Sequence, residues 1–101
     1  MFARVARYEV APERIDDAVQ AFGQAAREIE QLDGFEGGYL LVDPDDGRTM
    51  TLTVWTNFAA VEASEKHARE ARQQAAHAVD GEVLSVELFE IAQELVPAQR
   101  T

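Results

Sequence analysis

The chain has one tryptophan and two histidines, and these residues are the first candidates for chemistry. Trp55 ends a predicted strand, where its ring either anchors the packing at the sheet edge or forms an aromatic wall for a planar ligand. His67 lies in a charged run, which is typical of a solvated helix face. His77 lies near a predicted helix end, where it is either structural or a base or cation at the helix C-terminus.

A metal site is not indicated by the residues that could supply ligands. His67 and His77 are ten residues apart, whereas ligands on one helical face recur after three or four residues. Asp43, Asp45 and Asp46 precede a glycine as in a calcium loop, but the glutamate that such a loop needs is missing. The absence of cysteine excludes disulfides, thiolate ligands and a cysteine nucleophile. We predict neither a metal nor a cofactor.

Length and charge narrow the classes of partner. The chain has 101 residues, which predicts one domain over residues 1–101. Nineteen acidic against nine basic side chains give a net charge of −10, and this sign disfavours nucleic acid and anionic membrane surfaces. No apolar run approaches the roughly 20 residues of a membrane helix. We predict a cytoplasmic protein that binds neither nucleic acid nor membranes.

The elements that position these residues follow from the periodicity of the apolar side chains. Alternating stretches predict four strands, over Phe2–Val10, Phe35–Asp43, Arg48–Thr56 and Glu82–Glu94. Three- and four-residue steps predict two helices, from Pro12 to about Leu32 and from the cap Asn57 to about Val79. The order β-α-β-β-α-β predicts an α+β ferredoxin-like sandwich, with both helices on one face of a four-stranded antiparallel sheet.

The two predicted helices differ in their inner faces. The first carries a large apolar stripe: Ile15, Val19, Phe22, Ala26, Ile29 and Leu32. The second carries mostly small residues: Val61, Ser64, Ala68, Ala71, Ala75 and Ala78. On its solvent face, Glu62 with Lys66 and Glu65 with Arg69 have the (i, i+4) spacing of ion pairs.

The second face of the sheet is predicted to be open. It would expose Thr49, Thr51, Thr53, Trp55, Val83, Phe89 and Ile91. Such a patch is rarely left in water, and pairing two sheets face to face would bury it. The last predicted strand exceeds the common length of about 5–6 residues, which suggests that it extends to a second subunit. We predict a homodimer through the sheet face and the extended last strand.

Two strand features have alternative interpretations. Arg4 stands among apolar neighbours on the first strand and is interpreted as an edge residue, with a polar group facing a cavity as the alternative. Gly37 and Gly38 on the second strand indicate either a bulge or the close approach of another backbone.

The stretches LDGFEGGYLLVD and TLTVWTNFAAVEAS carry a family resemblance. With the strand ending at Trp55, the cap Asn57 and the alanine-rich helix, the chain resembles the dimeric α+β barrel superfamily. Within it, the chain is similar to the antibiotic-biosynthesis monooxygenase domain family, over residues 2 to about 95. The family includes cofactor-free oxygenases of phenolic polycycles, quinol oxidases, haem-degrading enzymes and many proteins without a known activity.

The haem-degrading branch of this family does not match the sequence. That branch has an asparagine on the first strand, where this chain has Ala6. It has a second tryptophan on the second helix, where this chain has Ser64, and a histidine ligand that falls at Gln74. His77 lies almost one turn further on. Haem degradation is therefore disfavoured.

The resemblance to the phenol-oxidising branch implies roles for several residues. There the deprotonated substrate itself supplies electrons to oxygen, so the protein need only bind it, take a proton and stabilise the anion. The resemblance implies Tyr8, Tyr39 and His77 as catalytic residues and Arg4 and Trp55 as substrate-binding residues. The first hypothesis is a cofactor-independent monooxygenase-like protein acting on a small aromatic, phenolic or quinol compound. The alternative is a non-enzymatic dimeric module for ligand binding or assembly, with a pocket filled by side chains.

Overall fold

The computed structural model describes residues 1–98 and has the predicted order of elements. The strands are β1 (Phe2–Glu9), β2 (Phe35–Asp43), β3 (Arg48–Trp55) and β4 (Glu82–Glu90), and the helices are α1 (Ile15–Ile29) and α2 (Phe58–Ala78). The sheet is antiparallel, with strand order β2-β3-β1-β4. The predicted ferredoxin-like α+β fold is confirmed. The sequence predicts a frayed tail from Val96 to Thr101, and this segment lies partly outside the described residues.

Both helices lie on one face of the sheet. From β1, the Tyr8 ring packs against Phe22 of α1, and the Arg4 side chain contacts α2. These two β1 residues are four apart and therefore point to the same face. The core between the layers consists of Ala6, Tyr8, Val10, Ala18, Phe22, Ala75, Ala76 and Val79.

The first helix begins and ends differently from the prediction. Pro12 opens a short 3-10 turn over Pro12–Arg14, and α1 then ends at Ile29 rather than near Leu32. Its buried residues are Ile15, Ala18 and Phe22, whereas Val19 is exposed. The predicted stripe therefore holds at Ile15 and Phe22, while Ala18, which is 0% exposed, takes the buried position predicted for Val19.

The second helix follows the prediction closely. The side chain of Asn57 accepts a hydrogen bond from the backbone N–H of Ala60 at 2.9 Å, which caps the first turn. The small predicted inner residues are buried from Val61 to Ala75, while Ala78 is exposed. Because these side chains are short, α2 fills little of the space above the sheet, and this leaves room for a cavity.

The predicted facing of β3 is wrong. Trp55 pairs with Phe2 and Thr53 pairs with Arg4, which puts the threonine row and Trp55 on the helix-covered face. The open face instead carries Met50, Leu52 and Val54, together with exposed Tyr39, Leu41 and Phe89. Alternation separates a strand into two sides, but it does not say which side the helices cover.

The last strand is shorter than predicted and changes side within its length. β4 ends at Glu90, after which the backbone N–H of Ile91 still donates to the Met1 carbonyl. A register shift opposite Arg7 and Tyr8 turns Val83 towards the core, so Val83 is not part of the open face. The segment over residues 91–98 has no regular structure.

Both interpretations of the paired glycines apply. The register of β2 against β3 shifts between Phe35 and Gly37, which is the predicted irregularity. A Cβ atom on Gly38 would collide with the carbonyl oxygen of Leu52 on the neighbouring strand. The two glycines therefore let β2 bend at the edge of the space between sheet and helices.

Candidate functional site

A cavity of about 420 Å³ lies between the sheet and the helices. Its volume falls in the range of small-molecule sites, roughly 300–1,000 Å³. Apolar and small residues from α1, β2 and α2 form most of the wall, and the polar residues that line it are Arg4, Tyr8, Glu30, Tyr39, Thr51, Thr53 and Arg72. The cavity is therefore apolar with a polar inner wall, rather than a cleft closed by side chains.

Arg4 is held in place by the second helix. Its Nη2 atom donates to the Val61 carbonyl at 3.0 Å and to the Ser64 hydroxyl at 3.1 Å, and lies 3.0 Å from a Glu65 carboxylate oxygen. The side chain is only 4% exposed, because β1 is a central strand with α2 above it. The interpretation of Arg4 as an edge residue is thus wrong, and the cavity-facing alternative holds.

A second buried arginine shares the same carboxylate. Arg72 of α2 is 6% exposed, lines the cavity and donates from Nη2 to the other oxygen of Glu65 at 3.3 Å. Arg72 is not among the site residues predicted from the sequence, and Glu65 is predicted there to pair with Arg69 on the surface. The signal was the spacing Val61, Glu65, Ala68 and Arg72, which places all four on one helical face. Among residues 1–98 the structure has neither the predicted Glu65–Arg69 pair nor the Glu62–Lys66 pair.

Burial and neighbouring charges act on Arg4 in opposite directions. Removal from water lowers the pKa of Arg4, the Glu65 carboxylate raises it, and the nearby Arg72 lowers it further. Arginine remains protonated in proteins even when it is perturbed in this way. The inner wall of the cavity therefore presents two guanidinium cations.

Tyr8 supplies a hydroxyl beside the arginines. It is 1% exposed, and its hydroxyl shares a 3.0 Å hydrogen bond with the Thr51 hydroxyl of β3. Burial raises the pKa of Tyr8, while the Thr51 bond and then the two arginines act against this shift. Since the ordinary value is about 10, the phenol is protonated at neutral pH. At that pH it is a hydrogen-bond donor and not a base.

Trp55 lies behind the cavity rather than in its wall. It is fully buried, and its Nε1 donates to the Thr53 hydroxyl at 2.9 Å. Its ring packs edge-on against the Phe35 ring, with the two ring centroids 5.5 Å apart. The guanidinium carbon of Arg4 lies 5.4 Å from the Trp55 ring centroid, within the range of a cation–π contact. The structure thus favours the packing role of Trp55, which orients Arg4, over an aromatic wall.

The remaining predicted residues are not brought together. Tyr39 of the edge strand β2 borders the cavity, but its pairing with Leu52 places its side chain on the open face, where it is 71% exposed. His77 is exposed in the last turn of α2 and is not part of the cavity lining. Arg4 and Tyr8 therefore form the inner site with Arg72, Tyr39 is peripheral, and His77 lies outside it.

In residues 1–98, no group of three or more His, Asp or Glu residues is arranged to hold a metal ion. No helix there is long and apolar enough to cross a membrane.

Comparison with solved structures supports the fold. A protein from Deinococcus radiodurans assigned to the antibiotic biosynthesis monooxygenases superimposes with a TM-score of 0.77, at 16% identity, covering 98% of this chain and 100% of that one. SnoaB, a cofactor-independent oxygenase from Streptomyces nogalater, gives a TM-score of 0.69 at 24% identity, covering 93% and 95%. A Nitrosomonas europaea protein of the same assignment as the first gives 0.70 at 12% identity, covering 92% and 100%.

Comparison of sequences defines the family. No curated protein matches the chain significantly. The family model described as antibiotic biosynthesis monooxygenase matches residues 1–79, which include β1 to α2 and every residue of the inner site. The chain therefore belongs to the antibiotic biosynthesis monooxygenase family.

Proposed function

We propose that this protein is a cofactor-independent monooxygenase-like enzyme that oxidises a small aromatic, phenolic or quinol compound. The observation that carries the proposal is the apolar cavity of about 420 Å³ with Arg4, Arg72 and the Tyr8 hydroxyl on its inner wall. Membership of the family and the similarity to SnoaB, a cofactor-independent oxygenase, support it.

The reaction needs an anion, and the inner wall is suited to one. A phenol that has lost its proton to water can pass electrons to dioxygen, and a ring carbon bearing hydrogen then becomes a carbonyl. For a phenol that becomes a quinone, one oxygen atom of dioxygen enters the product and the other leaves as water, so that the substrate loses four electrons and dioxygen gains four. Arg4 and Arg72 stabilise the negative charge, and the Tyr8 hydroxyl donates a hydrogen bond to the same oxygen.

The other predicted residues take smaller parts in this proposal. The Tyr39 side chain lies on the open face and does not contact the bound ring. Trp55 acts through Arg4 as a positioning residue. His77 has no part in it, because its side chain is exposed outside the cavity lining.

Oxygen uptake tests the proposal. The protein is mixed with a panel of phenols and hydroquinones, and the rate is compared with that of Tyr8→Phe and with the uncatalysed rate. We expect uptake above the uncatalysed rate for at least one compound, and a loss of about a hundredfold or more in Tyr8→Phe, since removal of one hydrogen-bond donor to an oxyanion costs about 10²–10³-fold. Ligand binding without uptake for every compound would favour the non-enzymatic alternative.

We also propose that the protein works as a homodimer. The open face of the sheet carries Leu41, Phe89 and Tyr39 as exposed side chains, beside partly buried Met50, Leu52 and Val54. An apolar face of this kind is stabilised when a second copy covers it. The segment over residues 91–98 also exposes Leu95 and Val96, and it takes the place of the extended strand in the proposed interface. A cytoplasmic location stays a prediction.

A further inference from the structure

The inner wall of the cavity carries an unbalanced positive charge. Arg4 and Arg72 are both buried, and in residues 1–98 their ion pairs go to the same carboxylate, that of Glu65. Two cations and one anion leave one net positive charge. An uncompensated charge away from water is costly, so a further anion at this place would be stabilising.

Each of the two guanidinium groups has donors left over. In the described residues, every side-chain hydrogen bond of Arg4 and Arg72 is donated by the Nη2 atom, and the ion-pair distances to Glu65 are also measured from Nη2. Their Nε and Nη1 atoms have no partner there, yet no fully buried side-chain polar atom of residues 1–98 is unpaired. Those nitrogen atoms are thus accessible, and both side chains line the cavity. They are available as donors to a ligand.

The other ionisable groups of the cavity do not supply the missing charge. Tyr8 is neutral at neutral pH. Glu30 lines the cavity from the residue after α1 and is exposed, so that water and salt screen its charge. The Tyr39 phenol is exposed on the open face of the sheet.

We propose that the ligand of this cavity is an aromatic monoanion, whose charged oxygen atoms bind the free donors of Arg4 and Arg72. This inference rests on the proposed function in taking the cavity as the substrate site. It narrows the substrate class to small aromatic compounds that carry one negative charge before they bind. The charge is either a ring carboxylate or the ionised hydroxyl of a hydroxyquinone. Both present oxygen acceptors to a planar guanidinium.

Matched ligand pairs test the charge requirement. Binding is measured by calorimetry at neutral pH for naphthoate against naphthamide, and for ionised hydroxynaphthoquinone against its methyl ether. Each pair keeps the ring system and removes the charge. We expect the anion of at least one pair to bind about ten- to hundredfold more tightly than its neutral partner. The pair that shows the preference identifies the source of the charge.

Matched variants locate the preference. Arg72→Met should abolish the preference for the anion, whereas Arg69→Met, which removes an exposed charge from the same helix, should keep it. Glu65→Gln removes the internal counter-ion and should increase the affinity for the anion. If Arg72→Met does not fold, the ligand pairs with the unchanged protein and with Glu65→Gln still decide the question.

Several outcomes would overturn the inference. These are equal affinities within both pairs, absence of binding by all four compounds, or an equal loss in Arg69→Met and Arg72→Met. These binding measurements need no turnover, so their result is independent of the oxygen-uptake test of the proposed function. A clear preference for the anion without oxygen uptake would contradict the oxygenase and leave the monoanion site standing.

Discussion

Arg4 and Arg72 place two positive charges inside a chain whose net charge is −10. Glu65 bridges them, the Trp55 ring lies beside Arg4, and the helix backbone at Val61 accepts a further hydrogen bond. Desolvation of two guanidinium groups against a single carboxylate leaves one positive charge uncompensated, which is costly. A ligand that brings a second negative charge to this place would therefore be stabilised by the two guanidinium groups.

The burial of Tyr8 predicts a pH dependence of stability. The folded pKa of Tyr8 lies above the unfolded value of about 10, because burial disfavours the phenolate. The folded state therefore holds its proton longer, and this contribution is complete below pH 10 and is lost as the pH rises through the folded pKa. Urea unfolding of the natural chain at mildly alkaline pH and above pH 10 should show a decrease that is smaller in Tyr8→Phe. An equal decrease in both would contradict this assignment.

The residues of the site were only partly predictable from the sequence. Arg4 and Tyr8 could be found, because a polar side chain recurring on the same side of an otherwise apolar strand draws attention. Arg72 was not identified from the sequence. The second helix is rich in charged residues, and their pattern does not show which of its arginines is buried. His77 was predicted as a catalytic residue from its residue type. The sequence does not show that its end of the helix faces away from the cavity.

At the scale of elements, α2 determines whether the site exists. Its inner residues are small and leave space between the helix and the sheet. The face from Val61 to Arg72 places Glu65 beside Arg4 and Arg72. The order and type of the elements could be predicted from the sequence, because apolar periodicity and the cap Asn57 are local signals. The facing of β3 could not, because Thr51 and Thr53 cover the cavity side while the more apolar Met50 row faces away. Which row of β3 faces the helices depends on the cavity and on the open face. Both are features of the tertiary structure, which local sequence patterns do not determine.

The cap of α2 gives a prediction at this scale. Asn57→Ala removes the acceptor for the Ala60 N–H, and the free energy of unfolding should decrease by about 1 kcal/mol. Asn57→Asp keeps an acceptor and is the matched control, which should stay close to the natural chain. Urea unfolding measures both. A stability of Asn57→Ala equal to that of the natural chain would show that this bond does not hold the first turn of α2.

At the scale of the whole molecule, the open face predicts the oligomeric state. Met50→Glu introduces a charge at the centre of this face, opposite Arg7, and should convert the proposed dimer to a monomer. Val19→Glu introduces the same charge on the exposed side of α1 and should leave the dimer intact. Light scattering at micromolar concentration distinguishes the two states. A natural chain that is monomeric there would contradict the proposed dimer.

The central claim is that a substrate held in the cavity is itself oxidised by dioxygen. The most direct measurement is mass spectrometry of the product formed under isotopically labelled dioxygen, with a phenol that supports uptake. For a phenol that becomes a quinone, one labelled oxygen atom should enter the product and one should appear in water, and Arg4→Met should decrease the rate of labelling. Product oxygen that comes from water, or labelling no faster than without the protein, would contradict the account.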